Sequence, residues 1–179
     1  MFFSLIQNRR SIRKYEEKPV EAEKLEKLVD AALLSPSSMG SNPWVFIIVN
    51  DREVLEKLSK AKPHGATFLK NAPLAMVVCA DPAKSTVWVE DASIATIYIH
   101  LAAESMGLGS CWIQIRERMH SDVRSSDDYI SEILDIPKNL KVEAMIAIGY
   151  PDEKKPPRSK KDLQYEKVFC GTFGKPYHE

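Results

Sequence analysis

Cysteine is scarce in this chain, and its three copies, Cys79, Cys111 and Cys170, lie far apart. An odd and scattered set argues against a disulfide framework and fits a reducing compartment. No CxxC pair and no His/Cys cluster offers metal-ligand spacing, so no metal site is expected. An excess of one charge is also missing: 25 basic and 25 acidic residues leave a formal net charge of zero. A nucleic-acid binder would show net basicity or a broad basic face, so no nucleic-acid partner is expected, although a local anion site remains open. No apolar run reaches the roughly 18 residues of a membrane span. Phe2 to Ile6 is too short an apolar stretch for a signal peptide, and the positive charges follow it. A cytoplasmic protein without membrane association is the expectation. A Gly-x-Gly-x-x-Gly fingerprint is lacking as well, which argues against a Rossmann dinucleotide cleft.

What the chain does contain is ordinary globular material, 44% hydrophobic and 28% charged over 179 residues. That length suits one domain, residues 1–179, with a real core. The stretch that organises the reading is Arg9-Arg10-Ser11-Ile12-Arg13-Lys14-Tyr15. Guanidinium forks match phosphate oxygens in pairs, so Arg-Arg-Ser-x-Arg is a reasonable mould for a terminal phosphate. A solvated basic turn is the alternative.

Residues 3 to 8 could form a short helix that delivers this cluster. Leu25, Leu28, Val29, Ala32 and Leu33 recur at helical spacing and predict a helix over 21–34, stopped by Pro36. Residues 35–44 hold two prolines, a glycine and four serines and read as a loop. It runs into Val45–Val49, a continuous apolar run expected to be a strand buried on both faces. Asn50-Asp51 opens a helix with Val54, Leu55 and Leu58 inward, and a turn at Lys62-Pro63-His64-Gly65 precedes a short helix over 66–71. Further strands are expected at 74–79, 110–115 and 142–148, and another helix begins at Ser125. The longest helix should run from about Val87 to Gly107. Its polar positions are few, and Ser93, Thr96, His100 and Glu104 form one narrow stripe. Such a helix belongs in a core or against a partner subunit. The tail from Asp152 reads as extended, with a short strand or arm near Val168-Phe169. Strands alternating with helices give an α/β or α+β sandwich.

Four segments carry a resemblance that covers essentially the whole chain. They are Arg9–Tyr15, Ser35-Pro36-Ser37-Ser38-Met39-Gly40-Ser41-Asn42-Pro43-Trp44, Gly107-Leu108-Gly109-Ser110-Cys111-Trp112-Ile113 and Ile148-Gly149-Tyr150-Pro151. In this order and spacing they resemble the FMN-dependent nitroreductase family. The resemblance implies an α+β, nitroreductase-like fold: a central, mainly antiparallel sheet flanked by helices, in an intertwined homodimer with FMN sites at the interface. It implies an oxidoreductase in which NADH or NADPH, as a transient donor, passes a hydride to flavin N5. A small nitroaromatic, quinone or similar acceptor then takes its place in a ping-pong cycle. A non-enzymatic flavin-binding protein, or a same-fold enzyme that destroys flavin or dehalogenates, are the alternatives.

By the family pattern, Arg9, Arg10, Ser11 and Arg13 would bind the FMN phosphate and ribityl chain, and Arg158 would reach the phosphate from the tail. A solvated tail residue is the other reading of Arg158. Pro36, Ser37, Ser38, Gly40 and Asn42 match a loop that in relatives comes from the other subunit and packs on the flavin. An ordinary helix-to-strand loop is the alternative. Trp112, Ile113 and Gln114 match the segment beside the isoalloxazine, where several relatives carry an acidic residue at the position of Gln114. A buried strand with a core tryptophan is the alternative there. Trp44 reads as core, His100 as structural or interfacial, and Cys111 as an inert buried thiol. No side chain is nominated as catalytic, because hydride transfer through a flavin needs positioning rather than a protein acid or base.

Overall fold

The computed structural model describes residues 2–177. Its elements in chain order are α1 (Phe2–Asn8), α2 (Ala22–Leu33), β1 (Trp44–Val49), α3 (Arg52–Leu58), β2 (Leu74–Ala80), α4 (Trp88–Ser105), β3 (Gly109–Gln114), β4 (Met119–Ser121), β5 (Arg124–Ser125), α5 (Ser126–Ile133) and β6 (Lys141–Gly149). Four strands make the central sheet in the order β1-β2-β6-β3, and every neighbouring pair is antiparallel. This is the α+β arrangement with a mainly antiparallel sheet that the resemblance implied.

β2, wholly apolar and buried, and β6, buried from residue 142 onward with Glu143 as its one inward charged residue, lie at the centre. Alternate residues then feed two cores, as the two-residue period of a strand requires. On one face Val77 and Met145 pack with Leu55 and Leu58 of α3 and Ile130 of α5. On the other, Met76, Val78 and Ile146 pack with Leu28 of α2 and Ala92, Ile99 and Ala103 of α4. Caps fix the small helices: Asp51 accepts the Val54 N–H at 2.9 Å, and Ser125 accepts the Asp128 N–H at 3.0 Å. Asp127 accepts the Val142 N–H at 2.8 Å, which docks α5 on the start of β6.

Two expectations need correction, for β1 and for the tail, and one direction left open is settled, that of α4. β1 is an outer strand rather than a strand buried on both faces, and Val45 and Ile48 are 38% and 40% exposed. An apolar run records a need for cover without saying which chain supplies it. The polar stripe of α4 points into the fold: Thr96 and His100 are buried while Ile94, Ile97 and Tyr98 face out. Thr96 Oγ1 donates to the Ala92 carbonyl at 2.8 Å and His100 Nδ1 lies 2.7 Å from Ser110 Oγ, while His100 Nε2 is buried without a partner among the described residues. The tail forms 3-10 turns at Lys160–Asp162 and Tyr165–Lys167 and one isolated bridge, Phe169 to Pro176, in place of a strand. The β4–β5 hairpin was not foreseen, since strands of three and two residues leave no readable period.

Candidate functional site

Helix α1 ends where the Arg9 N–H meets the Leu5 carbonyl at 3.0 Å, and the next residues run alongside β3. Ser11 bridges Ser110, the Ile12 N–H donates to the Ser110 carbonyl at 3.0 Å, and Tyr15 bridges Pro151. Two glycines make this approach possible. A Cβ on Gly109 would sit 2.8 Å from three Ile12 side-chain atoms, and one on Gly149 would sit 2.6 Å from Pro73 and 3.0 Å from Tyr15. The Gly-Leu-Gly and Gly-Tyr-Pro segments are therefore what lets the basic loop lie flat against the sheet's end.

Cations gather there from two parts of the chain. Lys155 Nζ donates to the Ser11 carbonyl at 2.5 Å and pairs with Glu153 at 3.4 Å. Glu153 Oε1 accepts the backbone N–H of Arg13 at 2.5 Å and of Lys14 at 3.3 Å. The Arg10 guanidinium donates to the Pro156 carbonyl, and the Arg158 N–H donates to the Gln7 carbonyl at 2.8 Å. Arg9, Arg10, Ser11, Arg13 and Arg158 are thus brought into one neighbourhood, and Lys155 joins them. A cleft of about 430 Å³ opens beside Arg10, Glu104, Gly107, Lys154 and Lys155. Burial raises the Glu104 carboxyl above its ordinary range, with Arg9 opposing the shift. Burial, then Arg9, pushes the His100 imidazole down to about 4, so it is neutral near pH 7. Burial raises the Cys111 thiol, against Arg13, Ser11, Lys155 and Arg9, which keeps it protonated and inert as expected. A second cleft, about 290 Å³ between Lys18, Leu25, Asn50 and Arg52, contains none of the candidate residues.

On β3, Trp112 and Gln114 are half-buried on one face, whereas Ile113 is buried in the opposite core. Ile113 can therefore offer only its backbone to a ligand. The Trp112 indole N–H donates to Gln114 Oε1 at 2.9 Å, and Gln114 Nε2 donates to the Arg116 carbonyl at 3.1 Å. Lys62 Nζ donates to the Gln114 carbonyl at 2.9 Å, and burial, then Arg118, lowers its pKa. Lys62 was missed by sequence reasoning. The sequence marks only the turn that holds it, whose His64 is exposed.

The loop 36–42 is held by its own side chains. Ser37 Oγ accepts the Asn42 N–H at 2.9 Å and donates to Asn42 Oδ1 at 2.7 Å. The Ser38 N–H donates to Asp91 Oδ1 at 2.7 Å, and Asp91 Oδ2 accepts the Ser85 hydroxyl at 2.7 Å. Met39, Gly40 and Asn42 take φ of 53°, 65° and 44°, so the backbone turns sharply and leaves Pro36 and Gly40 exposed. Trp44 is half-buried at the start of β1, outside both cores, and packs on Phe46 with ring centroids 5.4 Å apart. The loop hangs from the first turns of α4 and the basic cluster lies by its last turns. At a rise of 1.5 Å per residue, Asp91 and Glu104 are about 20 Å apart. The chain does not bring loop and cluster together. Among the described residues no group of His, Cys, Asp and Glu could hold a metal ion.

The donor set suits a phosphomonoester joined to a flat polar ring. Guanidinium forks and Lys155 can take a dianion, and a half-buried indole and amide stand on the strand alongside. FMN has that chemistry. A model of the Nitroreductase family matches residues 6–64 and 61–150. The solved structure of an FMN-dependent nitroreductase from Clostridium difficile R20291 superposes with a TM-score of 0.95 at 51% identity, covering 96% of this chain and 99% of that one. A protein of Archaeoglobus fulgidus, provisionally named NADH dehydrogenase/NAD(P)H nitroreductase, is 42% identical over 158 residues, 84% of this chain and 86% of its own. The Bacillus subtilis FMN reductase [NAD(P)H] is 27% identical over 184 residues, 89% of this chain and 71% of its own. With that breadth of match, the chain belongs to the nitroreductase family.

Proposed function

We propose that this protein is an FMN-dependent NAD(P)H oxidoreductase that reduces small acceptors such as nitroaromatics or quinones. The observation that carries the reading is that the loop bearing Arg9, Arg10, Ser11 and Arg13 lies against the start of β3, with Lys155 bound to the Ser11 carbonyl, on the strand that carries Trp112 and Gln114. Bound FMN would supply two-electron transfer between a nicotinamide donor and an acceptor that occupy the same pocket in turn. The names of the Clostridium difficile and Bacillus subtilis relatives support the cofactor and the donor.

In this reading Arg9, Arg10, Ser11 and Arg13, with Arg158 or Lys155, neutralise the phosphate. The backbone of Ile113 and the side chains of Trp112 and Gln114 line the isoalloxazine. Lys62, fixed to the Gln114 carbonyl, puts a positive charge near the ring edge, where electron density grows on reduction. The chain's task is alignment and electrostatics, and no side chain is assigned as acid or base.

A homodimer completes the site. Phe2, Phe3, Ile94, Ile97, Tyr98, Leu34 and Met39 expose apolar surface across α1, α4, the C-terminal end of α2 and the 36–42 loop, more than a lone chain ordinarily shows water. The 20 Å offset between loop and basic cluster favours the loop of one copy, Pro36, Ser37, Ser38, Gly40 and Asn42, serving the site of the other. Residues 1–179 would form one FMN-binding domain. The three free cysteines fit a cytoplasmic setting, and no helix among the described residues is long and apolar enough to cross a membrane.

An anaerobic absorbance titration of purified protein with NADH and then NADPH tests the reading. A flavin spectrum that bleaches supports it, and the faster donor identifies the preferred nicotinamide. A flavin spectrum that stays oxidised with both donors would favour flavin binding without this chemistry. A colourless protein that takes up no added FMN would overturn the cofactor assignment.

A further inference from the structure

Glu143 is a buried carboxylate that neither caps a helix nor joins an ion pair. It lies on β6 where the pairing with β2 slips by one residue, between Val142 opposite Cys79 and Ala144 opposite Val78. Its carbonyl accepts from two successive donors, Ile115 N–H at 3.2 Å and Arg116 N–H at 3.0 Å. A bulge of this kind re-aims one side chain out of the regular alternation. Here it turns Glu143 towards Gln114. The residue is 3% exposed, Oε1 lies 3.5 Å from the Gln114 amide nitrogen, and Oε2 has no hydrogen-bond partner. A buried carboxylate oxygen without a donor is unfavourable when charged. Burial accordingly raises the pKa of Glu143. Gln114 and Arg116 oppose that shift, while Glu117 and Glu90 add to it.

Gln114 is tied at its other end to the Trp112 indole. Carboxyl, amide and indole thus form a chain from the bulge of β6 to the half-exposed edge of β3. We propose that Glu143 is a positioning residue for that edge, and that gain or loss of its proton reorients the Gln114 amide and, through it, the Trp112 indole. Its relevance to redox chemistry rests on the reading that Trp112 and Gln114 line the flavin. An ionised Glu143 demands a donor, and the Gln114 amide nitrogen is within reach, so Oε1 of the amide stays on the indole. A protonated Glu143 can donate in its turn, which lets the amide swing its oxygen inward, giving up its 3.1 Å bond to the Arg116 carbonyl and releasing the indole N–H. The fixed charges around this switch are Arg116 and Glu117, paired at 2.8 Å, and Glu90 on α4.

The test follows the Trp112 indole N–H resonance of ¹⁵N-labelled protein, as purified, from about pH 5 to pH 9, with Trp112→Phe giving the assignment. The expected result is a shift with a midpoint above the ordinary carboxylate range of about 4.3. It is lost in Glu143→Gln and kept in Glu90→Gln. Gln114→Met, which leaves the carboxyl in place, abolishes it too and serves if the first variant does not fold. Persistence of the shift in either Glu143→Gln or Gln114→Met overturns the proposal, as does its absence from the wild type. In flavin-loaded protein the midpoint potential should show the same pH inflection, lost in Glu143→Gln. The resonance needs no flavin, so a chain that takes up no FMN would sink the functional reading and leave the test of Glu143 intact.

Discussion

Asp91 holds Ser38: its Oδ1 takes the Ser38 N–H at 2.7 Å while its Oδ2 takes the Ser85 hydroxyl at the same distance. A residue in the first turn of α4 thereby sets the shape of a loop more than fifty residues earlier in the chain. Asp91→Ala removes two hydrogen bonds to a carboxylate in a buried place. It should lower stability by about 3 kcal/mol in urea unfolding, since such bonds are each worth about 1.5–3 kcal/mol. Loss of FMN affinity should accompany it, and Asp91→Asn should be milder on both counts.

The basic cluster should distinguish FMN from riboflavin, which lacks the phosphate. Arg9→Ala and Arg13→Ala are each expected to weaken FMN binding by about 10- to 100-fold, the equivalent of one charge-assisted bond. Riboflavin binding should change little. Quenching of flavin fluorescence measures both. Equal losses for the two ligands would remove these arginines from the phosphate.

His100 makes stability depend on acid. Its folded pKa, about 4, lies below the ordinary histidine value of 6.5 because the imidazole is buried and faces Arg9. The unfolded chain therefore binds the proton first. The contribution of neutral His100 is fully present above pH 6.5 and is lost as the pH falls towards 4. The whole effect is about 3 kcal/mol. Denaturant unfolding at pH 7 and pH 5 should show the decline, and His100→Gln should flatten it.

Ile97 stands 47% exposed on α4 among Ile94 and Tyr98. Ile97→Glu should shift the sedimentation coefficient from dimer to monomer and release FMN at the same time. A dimer unaffected by the charge would place the subunit contact elsewhere.

Gly109→Ala puts a methyl group 2.8 Å from the branched Ile12 side chain, which has no flexible end to yield. A cost of about 1–3 kcal/mol is expected. FMN affinity should fall with it, because Ile12 lies between Ser11 and Arg13. Ile12→Ala in the same chain should restore part of both.

The sheet was legible because β2 is an unbroken apolar run and β6 is one interrupted only by Glu143 after its first residues, and the helices because Leu25, Leu28 and Ala32 or Leu55 and Leu58 keep the 3.6 period. The basic loop was legible for a different reason: guanidiniums that close together need an anion or water. Geometry between distant segments was not. Nothing in Lys62-Pro63-His64-Gly65 says that Lys62, not His64, turns to Gln114. Nor does any local pattern reveal that Glu143 sits on a bulge, since Lys141-Val142-Glu143-Ala144 reads as a strand entering the core. The direction of the α4 stripe was not legible either. Thr96 and His100 Nδ1 mark the inner side because they find partners there, and Ile94, Ile97 and Tyr98 are left for another surface.

The strand order has a consequence for how the chain is made. Val77 at the centre of the sheet finds its neighbour in Met145, and β3 pairs with the same late strand. During synthesis β2 emerges with only β1 beside it, and its second edge waits for β6. Closure of the sheet therefore waits for a strand made about sixty residues later, and a nascent chain stalled before Lys141 presents an unpaired apolar strand edge to the chaperones around the ribosome.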